Sequence, residues 1–146
     1  MRIAAIVLLG FAAHAFAQAP NASPAGLWQT FDDDTRAPKA LVEIVERAGT
    51  LSGRIVKLFP APDDDADPRC TQCAGARHNQ RVVGMTILWN FHRDGDAWGG
   101  GEVLDPESGD IYRATLHLRD DATLVVHGYI GIPLLGRSQT WERQSH

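Results

Sequence analysis

Apolar and polar residues alternate in short runs along most of the chain. The pattern is clearest in IYRATLHL (111–118). There Tyr112, Ala114, Leu116 and Leu118 fall on one side, and Ile111, Arg113, Thr115 and His117 on the other. A repeat of two is that of a strand with one face buried. Comparable runs are GLWQTF (26–31), KALVEIVER (39–47), TLSGRIVKLF (50–59), MTILWNFH (85–92), AWGGGEVL (97–104), ATLVVHGYI (122–130) and LLGRSQTWER (134–143). Turn-forming residues punctuate them: DDDTRAP, Ala48-Gly49, Asp94-Gly95, DPESGD and RDDA. No long segment carries a helical repeat, and β-branched residues in VEIVER favour strand over a helical turn. Eight short runs at this spacing predict an antiparallel barrel or sandwich.

The runs also predict register. Aligning the apolar faces of the sixth and seventh pairs Leu116 with Val126 and Leu118 with Leu124, leaving 120–122 as a three-residue turn. A slip of one residue would turn every apolar side chain to the wrong face. Gly99-Gly100-Gly101 inside a strand predicts a bulge, a sharp bend or a close backbone approach. In a closed barrel the first and last runs pair. Gly26-Leu27-Trp28 then resembles the lipocalin-type opening, in which a tryptophan near the floor is covered by an arginine of the final strand. Arg137 and Arg143 are the candidates, through a cation–π contact.

A wider resemblance follows from GLWQTFDDDTRAP, SGRIVKLFP, DPRCTQCAGARHNQRVVGMTIL, WGGGEVLDPESGDIYRATL and GYIGIPLLGRSQTW. Spread over residues 26–141, these stretches resemble the bacterial exported family catalogued as domain of unknown function twenty-one forty-seven. The resemblance implies a small eight-stranded antiparallel lipocalin-like β-barrel in the envelope or secreted space. It implies no reaction. Ala37, where that pattern often has glycine, is a departure confined to a loop.

The N-terminus narrows the compartment. Arg2 precedes the uncharged apolar run 3–13, and Ala15-Phe16-Ala17 places small residues where a signal peptidase reads. This predicts a cleaved secretory signal over 1–17, with Ala17-Gln18-Ala19 as a second cleavage site. The run falls short of the roughly 20 residues a bilayer span needs. No membrane span is therefore expected after cleavage, and no cysteine near the cut offers a lipid anchor. The expected organisation is a signal (1–17), a flexible stretch (18–25) and one barrel domain (26–146), in the bacterial periplasm or outside the cell.

Removing 17 of 146 residues leaves 129, which suits one domain with its own core. Arg2 leaves with the signal, so 13 basic residues face 18 acidic ones, a formal charge of −5. Basic residues are scattered singly, so a nucleic-acid partner is not expected. Anionic membrane surfaces are poor partners for the same chain.

Chemistry is sparse. Cys70 and Cys73 are the only cysteines, spaced C-x-x-C, with His78 following. An even count in an exported protein favours a disulfide. A redox pair would want a helix start after the motif, and Ala-Gly-Ala-Arg-His-Asn-Gln shows no such pattern. A zinc site from Cys70, Cys73 and His78 lacks a fourth ligand. Asp63, Asp65 and Asp67 alternate like calcium ligands, but Pro68 and Ala74 occupy the positions that need glycine and glutamate. His117 and His127 share an outward face. Ser52, Ser108 and Ser138 lack a nucleophile-elbow context, and Glu43, Glu46 and Glu102 are isolated.

The aromatic residues weigh more. A small barrel is either filled by side chains or holds one small ligand. Trp28, Trp89, Trp98, Tyr112, Tyr129, Trp141 and Arg137 are the expected ligand-binding set. Arg54, Lys57 or Arg113 at a mouth would hold a carboxylate. The leading expectation is a non-enzymatic exported barrel, without cofactor or metal, that binds a small hydrophobic or amphipathic ligand. The alternative is an envelope interaction or stress-protection protein with a packed barrel, presenting the 60–84 loop and GYIGIPLLG to a protein partner. A third is a Cys/His redox or metal site.

Overall fold

A computed structural model describes residues 22–145. The expected signal, both of its cleavage sites and residues 18–21 lie outside the described residues. Eight strands follow one another: β1 (Gly26–Phe31), β2 (Pro38–Arg47), β3 (Thr50–Leu58), β4 (Thr86–Asp94), β5 (Ala97–Leu104), β6 (Ile111–Asp120), β7 (Thr123–Tyr129) and β8 (Gly136–Gln144). Each pairs antiparallel with the next, and β1 pairs with β8, so the sheet closes as an up-and-down barrel. Of the barrel and sandwich that the alternation predicts, the chain forms the barrel, as the family resemblance implies. Strand ends shift by a few residues. Pro133–Leu135 forms a 3-10 turn, so β8 starts at Gly136 rather than Leu134.

The expected β6–β7 register holds: Leu116 faces Val126 and Leu118 faces Leu124. The turn is tighter than expected. Asp120 pairs with Thr123, and the extra residue is absorbed by a bulge between Leu118 and Asp120. The glycine run provides two of the expected devices. The β5–β6 register slips between Trp98 and Gly101, where Gly100 adopts φ 74. At Gly101 a Cβ would collide with the Phe91 ring. The bulge bends the sheet, and the missing side chain lets Phe91 fill the interior.

The antiparallel order gives the barrel two unlike ends. One, here called the floor, carries the short turns after β2, β4 and β6. The other, the mouth, carries the segments 32–37, 59–85, 105–110 and 130–135. Inward residues fill the floor half. Trp28, Leu51, Phe91, Leu116 and Leu124 are fully buried, with Trp98 and Trp141 close behind. Residues 22–25, expected to be loose, pack across this floor. Pro24 is fully buried, and the Trp28 indole N–H donates to its carbonyl at 2.8 Å.

Candidate functional site

Arg143 is the arginine that covers Trp28. Its guanidinium carbon sits 4.3 Å from the ring centroid. The same group donates to the backbone carbonyls of Ala25 at 2.8 Å, Ser23 at 3.3 Å and Asp121. Five donors in a planar fork suit several carbonyls and a ring face at once. Arg93 lies 5.3 Å over Trp98 in the same way. The floor is thus sealed by stacked cations and a crossing segment. Trp28, Trp98 and Trp141, all expected to line a ligand, are buried in the packing there.

The long segment between β3 and β4 folds onto the outside of the barrel. Cys70 and Cys73 form a disulfide with a Cα–Cα distance of 5.3 Å. Backbone bonds from Cys70 N to Gln80 O and from Val82 N to Pro68 O make a small hairpin around it. Both sulfurs are buried, and Cys70 Sγ lies 3.2 Å from the Pro106 carbonyl oxygen. Gly109 adopts φ 77 directly against the Gln72 carbonyl, where any Cβ would collide. Ile87 and Leu104 alternate with inward Leu88 and Val103, so they face outward, yet both are buried. Part of the β4–β5 strip is therefore covered on both faces. Trp89 shares this outer face: Arg77 stacks on its ring at 4.4 Å, and its N–H donates to Glu102 at 2.9 Å. Within the 60–84 loop Cys70, Cys73 and Val82 are buried, while most of its other residues are exposed.

The mouth half of the interior is less filled. Tyr112, Val103, Gly128 and Gln139 continue the inward rows of β6, β5, β7 and β8, and all four stay partly exposed. A Cβ at Gly128 would make only ordinary contact with Tyr112 and Val103, at 3.7 Å each. The small residue therefore leaves room. The Tyr112 hydroxyl donates to Asp110 at 3.3 Å on the rim. Burial first, then the Asp110 charge, holds its phenol above the ordinary value. Thr30 closes the base of this cup from β1. Arg137 does not cover Trp28. It stands at the rim, paired with Asp33 at 3.2 Å, and Gln139 donates to the same carboxylate at 3.1 Å. These contacts join the segment after β1 to β8, beyond the point where the β1–β8 backbone ladder stops at Gln29 and Glu142.

The other candidate residues scatter. Arg54 faces outward into a groove of about 330 Å³ on β2–β4, where it is tied to Glu43 at 2.9 Å. Lys57 lies over Phe59, and Arg113 is exposed on the outer face. Asp67 pairs with Arg81, and Asp65 caps the Asp67 backbone N–H. No group of three or more potential metal ligands occurs among the described residues. Tyr129 lies outside the barrel, stacked on His127 at 6.0 Å between centroids.

His127 has a role that reading single strands misses. It sits opposite Ser138, with Nδ1 2.8 Å from the Ser138 Oγ and Nε2 2.7 Å from the Pro133 carbonyl. In the neutral ring, Nε2 donates to the carbonyl and Nδ1 accepts from the hydroxyl. This clasp holds the 130–135 loop. Ile130, Ile132, Leu134 and Leu135 are 68%, 54%, 90% and 73% exposed there. Continuing the β7 register into β8 would have found the His127–Ser138 pair. The Asp33 clasp leaves no such trace, since it joins a loop to a strand about a hundred residues away.

A family model described as "Uncharacterized protein conserved in bacteria (DUF2147)" matches residues 26–143. The chain belongs to this family. The match spans all but the end of the barrel, so the DUF2147 unit and the closed sheet coincide. Among solved structures the chain is similar to protein HP1028 of the lipocalin family from the human pathogen Helicobacter pylori. The two share 16% identity and a TM-score of 0.72, over 86% of this chain and 85% of the other. At that identity the likeness concerns the fold. No curated protein matches.

Proposed function

We propose that this DUF2147 barrel is exported, is not an enzyme, and holds the apolar end of a small amphiphilic molecule in the cup at its mouth. The single observation behind this reading is the contrast along the interior. Inward residues are fully buried at the floor, whereas Val103, Tyr112, Gly128 and Gln139 remain partly open at the mouth. Val103 and the Tyr112 ring supply apolar wall. The Tyr112 hydroxyl, Gln139 and the exposed Arg137 supply polar partners for a head group, a mixture typical of small-molecule sites. The disulfide and the bacterial family support export, because a buried C-x-x-C bridge suits an oxidising compartment. The ligand set differs from a ring of tryptophans: the cup residues are Thr30, Val103, Tyr112, Gly128 and Gln139.

The test is titration of the purified mature chain with a fluorescent fatty acid in vesicle-free buffer, beside the Gly128→Leu variant. The new Cβ would make ordinary contact with Tyr112 and Val103 at 3.7 Å and with the Arg113 carbonyl at 4.0 Å, and the rest of the side chain occupies the cup. Saturable binding that falls at least tenfold in the variant, with an unchanged thermal midpoint, is the expected result. No saturable binding by the native chain, or equal binding by both, would sink the reading.

The exposed 130–135 loop favours a second role at the same end of the barrel, contact with the cell envelope.

A further inference from the structure

We infer that the 130–135 loop is a docking tip for a neutral lipid surface. The inference deepens the reading above, since it places the cup where an amphiphile would be exchanged with a bilayer. Four large apolar side chains stand on one short loop, and every residue from 130 to 138 is exposed. Scattered exposed leucines need no explanation, but a cluster at one tip does. Ile111 is the one other exposed large hydrophobic residue among those described, and it opens β6 at the same end.

The occupant follows from shape and charge. The tip projects from a loop, so it suits insertion into a soft apolar layer. Residues 122–136 contain no Asp, Glu, Lys or Arg. Half-buried Tyr129 lies at the base of the loop, and Arg137 follows it. An apolar tip above an aromatic and charged collar matches the polarity gradient of a bilayer interface. The loop is already held in place. Ile132 N donates to Ile130 O at 3.1 Å, Leu135 N to Ile132 O at 3.0 Å, and His127 fixes Pro133. Insertion therefore orders little that is free. Charge selects the lipid. The neighbouring loops carry Asp32, Asp33 and Asp34 on one side and Asp105, Glu107 and Asp110 on another. Arg137 pairs with Asp33 and Lys39 with Glu107, and Arg36 sits in the same rim, yet Asp32, Asp34, Asp105 and Asp110 still outnumber the remaining cation. A net acidic rim disfavours anionic head groups, which leaves a zwitterionic surface.

The test is co-flotation of the mature chain with phosphatidylcholine vesicles, and with vesicles containing one-third phosphatidylglycerol. The native protein should float with the first and less with the second at low salt. A Leu134→Asp, Leu135→Asp variant should lose at least tenfold in bound fraction with an unchanged near-ultraviolet dichroism spectrum. Its fatty-acid binding in vesicle-free buffer should match the native protein. Native protein that stays unbound to both vesicles, or a variant that floats as well as native, overturns the inference. So does flotation that requires an added envelope protein, since the loop would then be a protein contact. The two readings fail separately. Flotation without fatty-acid binding removes the cup but keeps the tip, and fatty-acid binding without flotation does the reverse.

Discussion

The floor and the mouth of this barrel are built from the same strands, yet they spend their apolar residues differently. At the floor, Trp28, Trp98 and Trp141 are buried, and arginines and a crossing segment cover what the strands leave open. At the mouth, the interior stays partly open while isoleucines and leucines face solvent. Burying a large apolar side chain stabilises by roughly 1.5–3 kcal/mol. The floor takes that gain and the mouth forgoes it. An end that leaves such surface unburied is the one to search for function.

The largest test of this contrast is Trp28→Ala. A fully buried tryptophan removed from a sealed floor should cost about 4 kcal/mol in denaturant unfolding, far more than the loop variant Leu134→Asp. Equal losses would mean that the mouth loop bears as much stability as the floor. Next is the double variant Cys70→Ser, Cys73→Ser. The ring is short, so the loss should be about 2 kcal/mol. It should concentrate in residues 67–82, read as faster amide exchange there with the barrel strands still protected. Fast exchange throughout the barrel would show that the outer loop holds the sheet closed.

The smallest test is electrostatic. Asp32 opens the mouth turn of β1, and Asp120 the floor turn of β6. The Thr35 backbone N–H, and then the Thr35 hydroxyl, hold the Asp32 carboxyl below the ordinary range. The Ala122 backbone N–H does the same for Asp120. A depressed folded pKa stabilises fully above the unfolded value of about 4 and loses that stabilisation as pH falls through the folded value. Both carboxyl groups should titrate by NMR below the ordinary aspartate value. Asp32→Asn should flatten part of the acid limb by lowering stability at neutral pH, with little change in acid below the folded value, where the native carboxyl is protonated as well. Ordinary midpoints at both sites would mean that the turns stand without these caps.

How much of this could be read from the chain follows from the range of each interaction. Strands, turns and the Leu116–Val126 register rest on neighbours in sequence and on a period of two, so they are legible. The glycines inside β5 are legible as a bulge or a close approach, although only the folded sheet shows that Phe91 is what approaches Gly101. Which face of a strand is covered twice is not legible. Trp89 and Ile87 look alike in the alternation, and the disulfide loop that covers them comes from outside it. Arg137 and Arg143 are equally plausible partners for Trp28 by type. Only the stagger at which β8 meets β1 decides for Arg143, and stagger depends on bulges elsewhere in the sheet.

Arg143 also ties the two ends of the described sheet together. It binds carbonyls at residues 23 and 25 and stacks on Trp28, so the first and last parts of the sheet meet at one side chain. A chain made from its N-terminus has the residues of seven strands before those of β8 appear. Until then β1 and β7 are both open edges, each able to pair with another molecule. Closure, sealing of the floor and protection from aggregation therefore arrive together, in the last residues of the sheet to be made.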